Sequence, residues 1–153
     1  MADNFTKLAV KAIGIVRNEL KEAGTDNYDK GEVVSEIVLD SNLTEALDGI
    51  EEYSHIIVLW WMHLIKPSEV KLKTHPMGRK ELPLKGLFAL RTPNRPNPIG
   101  KTTVRLLHRK GNRLIVKGLE ALDGSPVIDI KPYICEYDSA DNAKVPQWID
   151  SLS

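Results

Sequence analysis

The 153-residue sequence predicts a mainly β fold, either a small β-barrel or a sandwich, with short helices and long loops. Six or seven segments rich in apolar and β-branched residues, separated by polar turns, support this prediction. No Gly-rich nucleotide fingerprint follows the first of them, so the fold is not predicted to be of the Rossmann type. With 42% hydrophobic and 27% charged residues, the composition is that of one ordered domain.

The N-terminal half predicts three strands and one short helix. Gly14 is a candidate β-bulge in the first strand, because glycine tolerates the irregular backbone that a bulge needs. Ser41 and Asn42 offer an N-cap for a short helix that Gly49 ends. The third strand is apolar throughout and is therefore expected to be central or buried on both faces. The three strand segments are residues 8–17, 31–40 and 55–64.

The C-terminal half begins with a long polar and basic loop over residues 66–85, and long loops in compact domains are often functional. Residues 109–112 (Arg-Lys-Gly-Asn) predict a hairpin turn, and Asp123 with Gly124 predicts a second turn. A short helical turn is expected over residues 146–150. The predicted strands are residues 86–90, 102–108, 113–119 and 126–134.

Residues 88–100 form a Pro-rich segment that cannot be helical. Its three prolines fix their own φ angles and push the preceding residues into extended conformations. The result is a stiff loop that presents the guanidinium groups of Arg91 and Arg95 and the amides of Asn94 and Asn97. A preordered loop of this kind loses little entropy on binding a ligand, and arginine suits carboxylate or phosphate. A rigid structural turn is the alternative interpretation.

The net charge is zero, but the charges are segregated along the chain. Residues 66–113 contain thirteen Lys and Arg against two acidic residues. Residues 1–65 have five basic and twelve acidic residues, and residues 114–153 have three and seven. A basic middle third that includes the Pro-rich segment indicates an anionic partner such as nucleic acid. The alternative is that the basic segment pairs with the acidic ends within the fold.

The remaining composition argues against a metal site and a membrane span. The single cysteine, Cys135, can form no internal disulfide and lies in an apolar segment that predicts a buried, inert thiol. The four histidines have no recognised metal spacing. The longest apolar run, residues 56–62, is too short to cross a bilayer, and the first residues do not resemble a secretory signal. We therefore expect a soluble cytoplasmic protein without a metal.

Three further side chains have both a structural and a functional interpretation. His63 ends the apolar third strand, where a histidine is either a hydrogen-bonded core residue or part of a pocket. Asp123 precedes a glycine and is ordinarily a turn residue. Asp129 lies two residues before Lys131 on the same strand face, so the pair is either structural or places a base near a substrate amine.

Several segments together resemble the TrmO/TsaA-like family, over nearly the whole chain. The resemblance implies a small dimeric β-barrel over residues 8–140 with a short tail over 141–153. It also implies S-adenosylmethionine-dependent N6-methylation of N6-threonylcarbamoyladenosine at position 37 of tRNA, next to the anticodon. The matching segments are 13–17 (Ile-Gly-Ile-Val-Arg), 53–60 with His63, 91–100 (Arg-Thr-Pro-Asn-Arg-Pro-Asn-Pro-Ile-Gly), 118–126 and 129–133 (Asp-Ile-Lys-Pro-Tyr).

The resemblance also assigns roles to individual residues. The cofactor contacts that it implies are Met62, His63, Arg91, Lys101, Ala121, Leu122, Asp123 and Gly124. From the chemistry of the transfer, we expect Asp129 or Tyr133 to act as the base. From the basic middle third, we expect Lys80, Lys85 and Arg95 to contact the RNA. An N-terminal cofactor loop maps onto residues 26–28 only weakly. Asn94 departs from the family pattern, where a bulkier residue is common.

Two other functions remain open at this stage. One is a non-catalytic module that binds S-adenosylmethionine or a nucleotide. The other is a methyltransferase of the same fold with an acceptor that is not RNA, since the chain has no counterpart of the extra C-terminal domain found in bacterial members of the family.

Overall fold

The computed structural model describes residues 5–22, 29–66 and 70–152. Six of its strands close into a single antiparallel barrel in the order β1-β2-β7-β6-β3-β8, and β4 and β5 form a separate two-stranded ribbon. This confirms the predicted mainly β barrel. The strands are β1 (Gly14–Arg17), β2 (Val34–Leu39), β3 (His55–Trp61), β4 (Lys73–Thr74), β5 (Lys85–Gly86), β6 (Ile99–Lys110), β7 (Arg113–Lys117) and β8 (Pro126–Pro132).

Alternating side chains of the barrel strands fill its interior. The β3–β6 pair is regular over seven residues, from His55 opposite Arg105 to Trp61 opposite Ile99. Since successive side chains point to opposite faces of a strand, every second residue of β3 enters the core. The fully buried apolar side chains include Val16, Ile37, Ile56, Val58, Val104, Leu114, Val116, Leu119 and Val127. These are drawn from all six barrel strands and from the segment that follows β7.

The first strand is shorter than predicted, and Gly14 has a different role from the one expected. β1 begins at Gly14, which pairs regularly with Leu39 and with Val127, so the predicted bulge is wrong. A Cβ atom at Gly14 would lie only 2.6 Å from the carbonyl oxygen of Val38. Glycine is needed here because β1 and β2 approach each other closely at this residue.

The predicted helix near residue 41 exists, but its cap is one residue earlier than expected. It is a 3-10 helix over Ser41–Leu47, and Asp40 is the N-cap, with its Oδ1 accepting a hydrogen bond from the Asn42 backbone N–H at 3.0 Å. Gly49 has φ +89°, a conformation that glycine adopts without strain, and it leads into a 3-10 turn over Ile50–Glu52.

The segment predicted as a strand at residues 86–90 is instead a 3-10 turn, Leu87–Ala89, that follows β5. Leu87 and Leu90 are both buried, and the Leu90 N–H donates to the Leu87 carbonyl at 3.1 Å. Two inward leucines spaced by three residues suit one helical turn better than a strand, which explains the error. The long loop before it contains β4 and a 3-10 turn at Pro76–Gly78.

The C-terminal elements also differ from expectation. β8 ends at Pro132, and Cys135 opens a four-residue helix, α1 (Cys135–Asp138). Cys135 is therefore exposed, and the prediction of a buried thiol is wrong. A 3-10 helix over Gln147–Leu152 follows, where Arg79 donates to the Ser151 carbonyl at 2.5 Å. Within the described ranges, no helix has the length and apolar character needed to cross a membrane.

Trp60 fills the barrel interior near one end. Its indole lies over Gly100 on the paired strand β6, where a Cβ atom would approach the indole Cδ2 to 2.8 Å and overlap other ring atoms. The indole N–H donates to the Thr102 hydroxyl at 3.2 Å, so the buried polar group of the ring is satisfied.

Replacing Gly100 with alanine should therefore destabilise the protein by about 1–3 kcal/mol, because the new methyl group overpacks the core against Trp60. Chemical denaturation of both proteins measures the difference. Gly86→Ala is the matched control, since the nearest heavy atom to a Cβ there is 3.9 Å away. Equal stability of the Gly100→Ala protein and the wild type would contradict this account of the Trp60 packing.

Candidate functional site

Residues predicted from separate stretches of the sequence meet at one end of the barrel. Because neighbouring strands are antiparallel, the C-terminal ends of β1, β3 and β7 lie at the same end as the start of β6 and β8. Met62 and His63 follow β3, and the turn 121–125 joins β7 to β8. The structure thus brings together six of the eight predicted cofactor contacts: Met62, His63, Ala121, Leu122, Asp123 and Gly124.

The turn 121–125 wraps around the end of β1. Gly124 N–H donates to the Val16 carbonyl at 2.8 Å, and Val16 N–H donates to the Ser125 carbonyl at 3.0 Å. The Asp123 N–H donates to the Leu20 carbonyl at 2.7 Å. Gly124 has φ +83°, which confirms the predicted Asp-Gly turn and explains the requirement for glycine. Three backbone hydrogen bonds therefore hold the turn against β1 and the residues that follow it.

Asn18 holds this turn through two hydrogen bonds, a role that the sequence patterns did not predict. Its side-chain amide donates to the Ala121 carbonyl at 2.8 Å and to the Ser35 hydroxyl at 3.0 Å. Its backbone N–H donates to Asp123 Oδ1 at 3.0 Å. One signal was present in the sequence: Ser35 is the polar residue at an inward position of β2, and a buried hydroxyl needs a partner.

Asp123 is charged and engaged on both oxygens. Its Oδ2 pairs with the Lys21 ammonium at 2.5 Å, while Oδ1 accepts the Asn18 N–H. The hydrogen bond from Lys21, followed by the one from Asn18, holds the pKa of the Asp123 carboxyl below its ordinary value. A carboxylate has about four lone-pair positions, so Asp123 retains capacity for a ligand hydroxyl or amine.

His63 lies at the surface beside the turn rather than in the core. Its Nδ1 is 3.4 Å from the Ser125 hydroxyl, and a Cβ at Gly124 would lie 3.8 Å from its Nε2. The interpretation of His63 as a buried core residue is therefore excluded. Met62 is half-buried against the core, and its N–H donates to the Pro98 carbonyl at 2.8 Å, which ties the Pro-rich segment to the end of β3.

The Pro-rich segment is held from within by Arg95. The Nη1 of this residue donates to the carbonyls of Leu90 at 2.8 Å, Leu87 at 3.2 Å and Thr92 at 3.3 Å. The guanidinium of Arg95, a predicted RNA contact, is therefore already hydrogen-bonded to three backbone carbonyls. The side chain of Arg91, at the start of the same segment, is exposed.

Lys101 is also exposed, and it lies on the outer face of β6 opposite Leu59. Asn94 is exposed, and nothing in the structure explains its departure from the family pattern.

The two predicted bases occupy different places. Tyr133 follows β8 at the opposite end of the barrel, where its N–H donates to the His55 carbonyl and its ring meets the His55 ring edge-on at 6.4 Å. The seven residues of β3 separate the two ends by about 20 Å, so one chain does not bring Tyr133 to the site. Asp129 lies opposite Leu59 and pairs with Lys131 at 2.9 Å.

The basic segment is largely unneutralised. Among the described residues, three of its thirteen cations form ion pairs: Arg79 with Glu81, Arg109 with Asp48 and Glu51, and Arg113 with Glu36. Pairing with the acidic ends therefore accounts for Arg109 and Arg113 alone within these ranges. Lys80 is exposed and Lys85 is half-buried in β5.

One surface concavity lies away from this end of the barrel. A shallow concavity of about 560 Å³ on the outside of β1 and β2 is lined by Ile15, Arg17, Glu36 and Val38 among others, and it contains none of the predicted cofactor contacts. Within the described ranges, no group of three or more His, Cys, Asp or Glu is arranged to hold a metal ion. The weakly predicted cofactor loop at residues 26–28 lies outside the described residues.

Comparisons with known proteins converge on one family. The family model of the tRNA-methyltransferase O N-terminal domain matches residues 17–139. An S-adenosyl-L-methionine-binding protein of Archaeoglobus fulgidus is 44% identical over 134 residues, which are 86% of this chain and 93% of that protein. The tRNA (adenine(37)-N6)-methyltransferase of Homo sapiens is 38% identical over 106 residues, 69% of this chain and 24% of that enzyme.

A solved structure gives the same result. The crystal structure of TrmO from Pseudomonas aeruginosa superposes with a TM-score of 0.73 at 30% sequence identity. The match covers 91% of this chain and 62% of the TrmO chain. The chain therefore spans less than two thirds of that solved protein.

The ion pair at Asp123 has a measurable consequence. Lys21→Ala should raise the pKa of Asp123, because it removes the main cause of the lowering. Since a lowered folded-state pKa stabilises the protein above the unfolded value of about 3.9, the stability difference between wild type and variant should be present at pH 7. It should disappear as the pH falls through the folded-state pKa.

NMR titration of the Asp123 carboxyl carbon measures the shift directly. Arg113→Ala, which removes an ion pair with Glu36 and changes the first residue of β7 at the opposite end of the barrel, is the matched control and should leave the Asp123 titration unchanged. An unchanged Asp123 pKa in the Lys21→Ala protein would contradict the assignment.

Proposed function

Because the chain belongs to the tRNA-methyltransferase O family, we propose that it is an S-adenosylmethionine-dependent methyltransferase acting on N6 of adenosine 37 in tRNA. The acceptor in this proposal is N6-threonylcarbamoyladenosine. The main support is one observation. Two segments about sixty residues apart, each predicted to contact the cofactor, meet where His63 lies 3.4 Å from Ser125.

The predicted cofactor contacts fit the chemistry of S-adenosylmethionine. Arg91 is exposed and forms no ion pair among the described residues, so its guanidinium is available for the cofactor carboxylate. Asp123 is ionised and has remaining acceptor capacity for ribose hydroxyls or an amine. Half-buried Met62 and Leu122 offer apolar surface for the adenine. Lys101 supplies a second exposed cation near the end of the Pro-rich segment.

When bound, S-adenosylmethionine supplies an electrophilic methyl group. The protein's contribution is chiefly positioning, because an in-line transfer depends on aligning the acceptor nitrogen with that methyl. Asp129 is the proposed proton acceptor, since Leu59 on β3 is paired with Asp129 on one side and with Lys101 on the other. In one chain, Tyr133 lies too far from the site for this role.

The basic segment is proposed to bind the tRNA backbone. Lys80 and Lys85 form no ion pair among the described residues, so both ammonium groups are available to phosphates. A homodimer is also proposed, from the family resemblance, and a cytoplasmic location is proposed from the proposed action on tRNA. No metal is required for the proposed transfer.

A non-catalytic cofactor-binding module is the second candidate. It is favoured by the Archaeoglobus relative, which matches this chain over 93% of its length and whose name specifies binding alone. The human enzyme is much longer than the matched region, which covers 24% of it. Binding of the cofactor without methyl transfer to any RNA distinguishes this candidate from the enzyme.

Incubation with unmethylated tRNA and S-adenosylmethionine labelled on the methyl group is the direct test. Label should enter tRNA that contains N6-threonylcarbamoyladenosine, and tRNA lacking this modification should remain unlabelled. Transfer to a small molecule but not to tRNA would overturn the acceptor assignment and favour an acceptor other than RNA.

Arg91→Ala should weaken S-adenosylmethionine binding roughly 10-fold or more, because a hydrogen bond to a charged group contributes about 1.5–3 kcal/mol. Isothermal titration calorimetry measures the affinity. Arg105→Ala is the matched control: Arg105 is exposed on β6 opposite His55, at the other end of the barrel, and its loss should have no effect. Unchanged affinity in the Arg91→Ala protein would remove Arg91 from the site.

Binding of tRNA should weaken steeply with added salt, and the double variant Lys80→Glu, Lys85→Glu should weaken it further and reduce the slope of log K against log salt. Fluorescence anisotropy with labelled tRNA at several salt concentrations measures both effects. Methyl transfer that hardly responds to salt or to these substitutions would instead favour an acceptor that is not RNA.

A further inference from the structure

We propose that Phe88 is a stacking platform for an unpaired base of the RNA acceptor, an inference that rests on the proposed function. Phe88 is the most exposed aromatic side chain apart from Phe5 in the described residues, with 85% of its surface accessible. Exposing a large ring carries a cost in water, so an aromatic side chain held outward on an ordered element indicates a binding surface.

The ring is presented by a fixed backbone. Phe88 is the central residue of the 3-10 turn Leu87–Ala89, and its neighbours Leu87 and Leu90 are 3% and 8% exposed. These two leucines anchor the turn in the protein, and the hydrogen bond from the Leu90 N–H to the Leu87 carbonyl closes it. The side chain between them therefore points outward because of the turn geometry.

Arg95 backs one side of the ring. Its guanidinium carbon lies 5.8 Å from the Phe88 ring centroid, within the range of a cation–π contact. The same guanidinium donates to the carbonyls of Leu87 and Leu90, so the cation is itself tied to the turn that holds the ring. One face of Phe88 is thus supported while most of the ring stays accessible to a ligand.

The surroundings favour a nucleic-acid base over an apolar protein partner. Lys85 precedes Phe88 by three residues and Arg91 follows it by three, and neither forms an ion pair among the described residues. An aromatic platform beside unpaired cations matches a base attached to phosphates, and single-stranded nucleic acid is commonly bound in this way. A second copy of the chain stacking on Phe88 would bring like charges together.

The platform is also continuous with the candidate site. From Arg95 the chain runs three residues, at most about 10 Å, to Pro98, whose carbonyl accepts the Met62 N–H next to His63. An anticodon-loop nucleotide near adenosine 37 is unpaired, so its base is free to stack. Phe88 would then position the acceptor and would not take part in the transfer.

The experiment measures binding of a fluorescently labelled anticodon stem-loop by wild type, Phe88→Ala and Phe88→Trp. The alanine variant should bind about 5- to 150-fold more weakly, and the tryptophan variant should retain affinity because it restores a ring. Affinity for S-adenosylmethionine, measured by calorimetry, should be the same in all three proteins. Tyr137→Ala is the matched control, since Tyr137 is 81% exposed on α1 and should not matter.

A set of RNAs, each with one abasic loop nucleotide, identifies the base that stacks. At that nucleotide, removing the base should weaken wild-type binding by the same factor as Phe88→Ala, and the two changes together should cost no more than either alone. Full additivity at every loop position would overturn the proposal. So would unchanged RNA affinity in the alanine variant, or a change in its oligomeric state by light scattering, which would assign Phe88 to a protein interface.

The outcome also separates this inference from the proposed function. If Phe88→Ala binds RNA and methylates tRNA as the wild type does, Phe88 has no such role and the proposed function stands. If the wild type binds the cofactor but neither binds nor methylates RNA, the proposed function fails and the platform fails with it.

Discussion

The closure of the barrel between β1 and β8 is the constraint on which the rest of the structure depends. The ladder between the two strands is short, with Gly14 opposite Val127 and Ile15 opposite Pro126. The turn 121–125 extends it with hydrogen bonds to Val16 and Leu20, and the Asn18 amide closes the arrangement from the other side. The residues that close the barrel are therefore also those that shape the candidate site. Substituting one of these residues should therefore affect both the stability of the barrel and the geometry of the candidate site.

The site depends on packing inside the barrel as well as on the closure between β1 and β8. Trp60 occupies the space that Gly100 leaves open, and the strand that supplies Trp60 continues directly into Met62 and His63. The Met62 N–H donates to the Pro98 carbonyl, so the packed end of β3 holds the Pro-rich segment in position. A preordered loop on a packed strand end suits positioning chemistry, in which small displacements are costly.

Alternation and turn signals are local, and they predicted a mainly β fold with segments at all six barrel strands, while the family resemblance selected a barrel over a sandwich. The sequence also predicted the Asp123–Gly124 turn, since an Asp-Gly pair favours the backbone that the structure shows. The errors arose where tertiary contacts decide: the role of Gly14 depends on how closely β1 approaches β2. The Asn18 network was missed because its bonds to Ala121 and Asp123 join residues 103 and 105 positions apart. No local pattern encodes such distances.

These sequence separations have a consequence for biosynthesis. The closure between β1 and β8 joins residues near 16 to residues near 125. The first strand can therefore complete its hydrogen bonding only after β8 and the turn before it have emerged from the ribosome. Contacts of this range make folding slow, and a ribosome-bound chain lacking the last strand has neither a closed barrel nor a complete candidate site. The cofactor would therefore recognise only the finished protein. A cofactor that binds only the closed form at this candidate site would also stabilise the finished fold.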